Sequence, residues 1–164
     1  MCGIAGFIGS GDRADIARMA RAIEHRGPDD EQFYADPDAR LHFGFRRLSI
    51  LDHAGGRQPM QTRDGALTVV FNGEIYNHRE LRANLEDRGH RFESDHSDTE
   101  VLLHGYREWD EDLPLKLNGM FAFAIHDRTR NRLFLARDRF GEKPLFLLDR
   151  PGLFAFASEL SALA

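Results

Sequence analysis

The hydrophobic residues of this chain follow strand spacing at its start and helix spacing directly afterwards. Residues 2–8 are apolar on both faces, which predicts a buried strand. Between Ile16 and Ile23 the apolar residues fall at i, i+3, i+4 and i+7, the spacing of an amphipathic helix. We expect this helix to end near His25, because a Gly-Pro pair that favours a turn follows.

The middle of the chain adds two strands and two helices. The strands are predicted from alternating or continuous apolar residues at 41–45 and 67–71. Asn77 with Glu80 has the spacing of a capping box, which predicts the start of a second helix, and Gly89 lies just past its end. Ser97 with Glu100 repeats that spacing and predicts the start of a third helix.

The last third of the chain is mostly strand. Four short apolar segments are joined by turns: MFAFAIHD, RLFLARD, PLFLLD and LFAFAS. The first is apolar on both faces, which indicates a sheet that is covered on both sides. Short connections favour antiparallel pairing between consecutive strands. The pattern alone therefore predicts an α+β fold with at least one covered antiparallel sheet.

Composition narrows the class of protein. The 164 residues carry a formal net charge of −5 and are 41% hydrophobic, with no repeat or low-complexity tract, so one soluble domain is expected. Without a basic excess, nucleic-acid binding is not expected. No apolar run reaches the roughly 18 residues of a membrane span and no signal peptide is recognisable, so no membrane partner is expected. A single cysteine excludes an internal disulfide and favours a cytoplasmic location.

Cys2, the one cysteine, is the main candidate for chemistry. A lone cysteine is most often a small buried hydrophobic residue, and that alternative stays open. Removal of Met1 would expose an α-amine, a group with a pKa of about 7.7–8.0 in model peptides, on the residue that carries the thiol. Nucleophile and general base would then come from one residue. The histidines lack metal-binding spacing, so no metal is expected, and DHSD at 95–98 is only a weaker metal alternative.

Five other residues have both a structural and a functional interpretation. Asn72-Gly73 after a strand predicts a tight hairpin, or else an amide and an N–H group that bind an oxyanion. Arg46-Arg47 ends a strand, where an arginine is usually solvated but can also bind a carboxylate through two hydrogen bonds. Asp98 at a helix start stabilises the helix dipole, or binds an ammonium group.

Several motifs together resemble a known family. They are MCGIAGF, HRGPDDE, RRLSILD, GGRQPM, FNGEIYNHRELR, SDTEVLLHGY, LNGMFAFAIHD and ARDRFGEKPLF. In this order they resemble the glutaminase domain of glutamine-dependent asparagine synthetase, a class II glutamine amidotransferase. The resemblance implies the N-terminal nucleophile (Ntn) hydrolase fold, an α+β four-layer αββα sandwich, over residues 1–164. It also implies hydrolysis of glutamine to glutamate and ammonia.

The resemblance also implies roles at the reacting amide. Cys2 would be the nucleophile once Met1 is removed, and its α-amine would be the base. The side chain of Asn72 and the N–H of Gly73 would form the oxyanion hole. Arg26, in the HRGPD turn, would support the nucleophile.

The other implied roles concern the amino-acid end of glutamine. Arg47 would bind the α-carboxylate and Asp98 the α-ammonium, while Glu74 would help to position the same end. Backbone of the segment that follows Arg47 would line the pocket, through Leu48, Ser49, Ile50 and Leu51.

One part of the family is missing from this sequence. The synthetase domain carries an S-G-G-x-D-S phosphate loop, and that motif does not occur here. The family's glutaminase domain also has further strands after the last residues of this chain. We therefore expect a fragment whose ammonia goes to a synthetase domain or a partner subunit. ATP and magnesium would act only there, and no cofactor is expected in this chain.

Three alternatives stay open. The chain could be a stand-alone or catalytically silent glutamine-binding module that serves another acceptor or regulates. It could also be an Ntn hydrolase for a different amide, although Arg47 and Asp98 suit a free amino acid. An unpaired sheet edge would favour association, and a homodimer is one form that this could take.

Overall fold

A computed structural model describes residues 2–48 and 57–164. The implied roles of Met1, Ser49, Ile50 and Leu51 therefore lie outside the described residues. The strands are β1 (Gly3–Gly9), β2 (Asp30–Asp36), β3 (Leu41–Arg47), β4 (Met60–Gln61), β5 (Leu67–Ile75), β6 (Gly119–Asp127), β7 (Arg132–Arg137), β8 (Phe146–Arg150) and β9 (Leu153–Ala157). The helices are α1 (Arg13–Ala22), α2 (His78–Asp87), α3 (Asp98–Trp109) and the short α4 (Leu113–Lys116).

The strands form two antiparallel sheets. Sheet A has the order β2-β3-β1-β9-β8, and sheet B has the order β4-β5-β6-β7. The predicted antiparallel pairing is confirmed for β6 with β7 and for β8 with β9. The strands β7 and β8 do not pair, because the chain crosses from sheet B to sheet A between them. The chain thus passes from sheet A to sheet B between β3 and β4 and returns between β7 and β8.

Three apolar layers hold four layers of structure together. One lies between α1 and sheet A and includes Phe7 and Ile16. The second fills the space between the two sheets, and the third joins sheet B to α2 and α3. The predicted covering of β6 is confirmed, because Phe123 belongs to the third layer and Ala122 to the second. The expected αββα sandwich is therefore the observed architecture.

The two sheets stack face to face, and the ends of their strands lie at the same two ends of the fold. Arg128, just after β6, lies 3.2 Å from Asp36, the last residue of β2, so the far ends of the sheets meet. At the opposite end β1, β6 and β8 begin, while β3, β5, β7 and β9 finish. We call this opposite end the Cys2 end, because the chain enters β1 there.

Two local predictions were wrong. At the start of α2 no side-chain capping bond forms, because Oδ1 of Asn77 instead accepts a hydrogen bond from the N–H of Asn118 at 2.9 Å. At α3 the side chain of Ser97 makes no capping bond either, and Glu100 bonds elsewhere. Both helices nevertheless start where predicted.

Within the described residues, no helix is long and apolar enough to cross a membrane.

Candidate active site

Cys2 lies at the entrance to β1, on the inner side of sheet A. Its half-buried side chain packs against the apolar layer between the sheets, together with Ile4 of the same strand. In the register of β1 with β3, Gly3 faces Arg46. One step further along that register, Cys2 stands opposite Arg47.

Arg26 holds the main chain at Cys2. It ends a short 3-10 turn, and its Nε donates to the carbonyl oxygen of Cys2 at 3.2 Å. Its Nη1 donates to Oε1 of Glu159 at 2.9 Å, and its side chain is 9% exposed. Arg26 thus contacts the backbone of Cys2 directly.

Two residues that the sequence interpretation missed complete this support. The N–H of Ile4 donates to Oγ of Ser158 at 3.0 Å, so the end of β9 is tied to the start of β1. Burial opposes the charge of Glu159, but hydrogen bonds from Arg26 and His25 keep the pKa of its carboxyl below the usual value. The sequence signal was a Ser-Glu pair after an apolar strand, which is too common to single out.

Strand alternation separates the two adjacent arginines. Arg46 turns toward α1, where its Nε donates to the carbonyl oxygen of Ala20 at 3.1 Å and its Nη2 lies 2.5 Å from Glu31. Phe45 belongs to the layer between the sheets, so Arg47, two residues on, shares that inner face. Only Arg47 therefore shares a face with Cys2.

Asn72 is an interior residue of sheet B, and its amide nitrogen is unpaired. The side chain is on the same inner face as Val70, and the residue is 2% exposed. Among the described residues, no group hydrogen-bonds to the buried Nδ2. Because a buried donor without a partner is rare in a folded protein, this nitrogen is a candidate donor to a bound ligand.

Gly73 is inside β5 and not in a turn. The pairing of β5 with β6 continues without interruption through Asn72 opposite Ala122 and Gly73 opposite Phe121. The hairpin alternative for Asn72-Gly73 is therefore wrong. Gly73 has φ +154°, and a Cβ there would lie 2.1 Å from the carbonyl oxygen of Met120. Only glycine fits this close approach of two strands.

Asp98 reaches the end of β5 from the helical layer. It is the first residue of α3, and its Oδ2 accepts a hydrogen bond from the N–H of Ile75 at 3.1 Å. Burial raises the pKa of the Asp98 carboxyl, while the Ile75 N–H and the nearby His78 partly oppose that shift. A partly desolvated carboxylate of this kind favours a cation as its next partner.

The structure thus brings most of the implied residues to one end of the fold. Cys2, Arg47 and Asn72 face the space between the sheets at the Cys2 end. Asp98 meets sheet B at the same end, where β5 finishes. Glu74 is exposed near the end of β5, and Leu48 is half-buried directly after β3. Across residues 2–48 and 57–164, no group of three His, Cys, Asp or Glu side chains is arranged to hold a metal.

Comparison with known proteins points to one family. A family model described as a glutamine amidotransferase domain matches residues 1–164. Asparagine synthetase [glutamine-hydrolyzing] 3 of Bacillus subtilis is 44% identical over 170 residues, covering 99% of this chain and 27% of that protein. Asparagine synthetase [glutamine-hydrolyzing] 2 of Oryza sativa is 41% identical over 173 residues, covering 100% of this chain and 28% of that protein.

A solved structure supports the fold. The glutamine phosphoribosylpyrophosphate amidotransferase from B. subtilis superposes with a TM-score of 0.78 at 21% identity. The match covers 99% of this chain and 43% of that one. The expected Ntn hydrolase architecture is therefore confirmed. The chain spans about a quarter of the length of the curated relatives it matches.

Proposed function

Because the chain belongs to the glutamine amidotransferase domain family, we propose that it hydrolyses the side-chain amide of glutamine to glutamate and ammonia. One observation carries this proposal most directly. The buried Nδ2 of Asn72, which has no partner among the described residues, faces the same space between the sheets as Cys2, at the same end of the fold. A tetrahedral oxyanion formed at the thiol requires such a free hydrogen-bond donor.

The chemical steps follow from these groups. Once Met1 is removed, the α-amine of Cys2 takes the thiol proton, and the thiolate attacks the amide carbon of glutamine. The oxyanion accepts hydrogen bonds from Nδ2 of Asn72 and from the N–H of Gly73. Collapse of the intermediate expels ammonia, which leaves with the transferred proton. Water then hydrolyses the γ-glutamyl thioester and restores the thiol.

The charged end of glutamine is held by opposite charges. Arg47 binds the α-carboxylate through its guanidinium, and Asp98 binds the α-ammonium. Glu74 positions the same end, and backbone of residues 48–51 closes the pocket. Because both charges of a free amino acid are used, an amide without them is a poor substrate.

We also propose that the ammonia is consumed by a synthetase region outside these residues, where ATP and magnesium would act. The relatives carry about three-quarters of their length outside the matched region. Ammonia that escapes into water is protonated and lost, so the consuming region should cover the Cys2 end. In support, every exposed large hydrophobic residue that the structure describes lies within four residues of a strand terminus at that end: Tyr76, Leu115, Phe140, Phe146, Leu147 and Leu160.

Phe140 is the most exposed of these residues. It is 91% exposed on the turn after β7, and Asp138 holds that turn by accepting bonds from three of its N–H groups. We expect the chain alone to self-associate through this uncovered surface, and Phe140→Asp to reduce that association. Sedimentation velocity over a concentration series measures this. A chain that stays monomeric at the highest concentrations would count against the docking surface.

The hydrolysis itself is tested by one paired measurement. Intact mass reports whether Met1 is present, and a coupled assay reports glutamate released from glutamine by the same sample. We expect glutamate from the form that lacks Met1, none from the form that retains it, and none from Cys2→Ala. Turnover by Cys2→Ala would refute the nucleophile. Glutamine binding without glutamate release in the processed form would instead indicate a catalytically silent module.

A further inference from the structure

Glu100 occupies a place in α3 that its capping pattern does not explain. It is the third residue of that helix, and its carboxylate extends back beyond Ser97 to the preceding loop. Oε1 accepts from the N–H of Glu93 at 2.6 Å, and Oε2 accepts from the N–H of Ser94 at 2.8 Å and from the Ser94 hydroxyl. One carboxylate therefore fastens residues 93 and 94 to the first turn of α3.

The Glu100 carboxylate that holds residues 93 and 94 is buried and charged. The Glu100 side chain is 8% exposed, and Nε2 of His104 lies 3.4 Å from its Oε1. Burial opposes the charge, but the His104, Ser94 and backbone hydrogen bonds outweigh it and lower the pKa of Glu100 to about 2. The Glu100 carboxylate thus stays ionised at neutral pH and accepts all of these hydrogen bonds in that form.

The loop that Glu100 fastens leads directly into Asp98. Ser94 also restrains Ser97, because the Oγ of Ser94 accepts a hydrogen bond from the N–H of Ser97 at 3.3 Å. Asp98 follows Ser97 and is fixed from its other side by the N–H of Ile75. Residues 93–97 are therefore held at two points, and Asp98 lies where that held segment meets sheet B.

We propose that Glu100 is a positioning residue that sets the affinity for the α-ammonium of glutamine by holding the loop before Asp98. This inference rests on the proposed function, since it assigns Asp98 to the ammonium. Glutamine at position 100 keeps the shape but offers a single acceptor oxygen, so part of the loop loses its partner. The hydrogen bonds of Glu100 go to Glu93, Ser94 and His104 and not to Cys2 or Asn72, so we expect the chemical step to be unaffected.

The test measures binding separately from turnover. In a Cys2→Ala background, calorimetry gives the Kd of glutamine and of 4-carbamoylbutanoate, which keeps the carboxylate and the amide but lacks the α-amine. We expect Glu100→Gln to weaken glutamine binding about tenfold, the loss of one hydrogen bond to a charged group. Binding of 4-carbamoylbutanoate should change less than twofold. In the Asp98→Asn background, Glu100→Gln should add little further loss.

Glu108→Gln is the matched control. Glu108 is in the same helix and bonds to His90 and Arg88, but it does not contact residues 93 or 94. Equal weakening of both ligands by Glu100→Gln, or an effect that persists in the Asp98→Asn background, would overturn the proposal. If Glu100→Gln does not fold, Ser94→Ala should show the same ligand selectivity to a smaller degree. A parent variant that binds no glutamine would refute the proposed function itself.

Discussion

Replacement of Asn72 by leucine should move activity and stability in opposite directions. The residue is 2% exposed and its Nδ2 is unpaired among the described residues. A buried donor without a partner costs about 1–3 kcal/mol. Leucine has a similar shape and fills the same space beside Val70, so the free energy of unfolding should rise by up to that amount. Loss of an oxyanion donor should lower kcat by about 10²–10³.

Both quantities can be measured on one preparation. Glutamate release gives kcat, and thermal melting followed by circular dichroism gives the change in Tm. For a chain of this size, 1 kcal/mol corresponds to roughly 2–4 °C, so the Tm should rise by roughly 2–12 °C. Val70→Ala is the control, because Val70 is fully buried on the same face of β5. It should lower the Tm through a cavity and change kcat less than about threefold.

Two results would refute this reasoning. If Asn72→Leu kept kcat within threefold of the wild-type value, the amide would not stabilise the transition state. If the Tm fell as far as it does in Val70→Ala, the amide would have a partner in the resting protein, such as an ordered water. A fall in kcat together with an unchanged or higher Tm agrees with a donor that is kept for the substrate.

Three further outcomes are expected. Gly73→Ala should cost on the order of 1–3 kcal/mol and most of the activity, because its Cβ meets backbone, whereas Gly89→Ala, at φ +94° in open space, should keep the activity. Arg26→Lys should lower kcat about tenfold in steady-state assays, since the bond to the Cys2 carbonyl is lost, and an unchanged kcat would contradict this. Stability from Glu100, whose pKa is lowered to about 2, should be complete above about pH 4.5 and lost as the pH falls toward 2. Urea unfolding across that range should show a shallower decline for Glu100→Gln.

Most of the fold could be predicted because the apolar pattern of most strands is recognisable in the sequence. In MFAFAIHD both faces are apolar, and its short length and the turn residues that follow it favour a strand covered on both sides. The strand β2 was not predicted. Its sequence DEQFYAD lies at the edge of sheet A, where several positions stay partly exposed and the apolar signal is diluted. The four layers required the resemblance, since nothing local shows how two sheets stack.

The Asn72-Gly73 pair shows how a strong local signal can be overruled. Ile75 is in phase with Val69 and Phe71, and all three belong to the layer beneath the helices. That continuing alternation favours one strand through the pair, and β6 supplies nine consecutive partners from Leu67 to Ile75. A turn at the pair would give up these bonds and expose Ile75. Long-range pairing therefore decides a choice that the dipeptide alone leaves open.

The site residues rest on supports of two different kinds. Cys2, Arg47 and Asn72 belong to or adjoin β1, β3 and β5, each of which has a paired strand on both sides. Asp98 instead begins a helix after a loop, with the Glu100 carboxylate holding that loop and the N–H of Ile75 bonding Asp98 itself. Changes at Cys2 and Asn72 should therefore alter the chemical step, while changes at Arg47 or in the loop before Asp98 should alter affinity for the amino-acid end. This division explains why kcat should respond to Asn72 and binding should respond to Glu100.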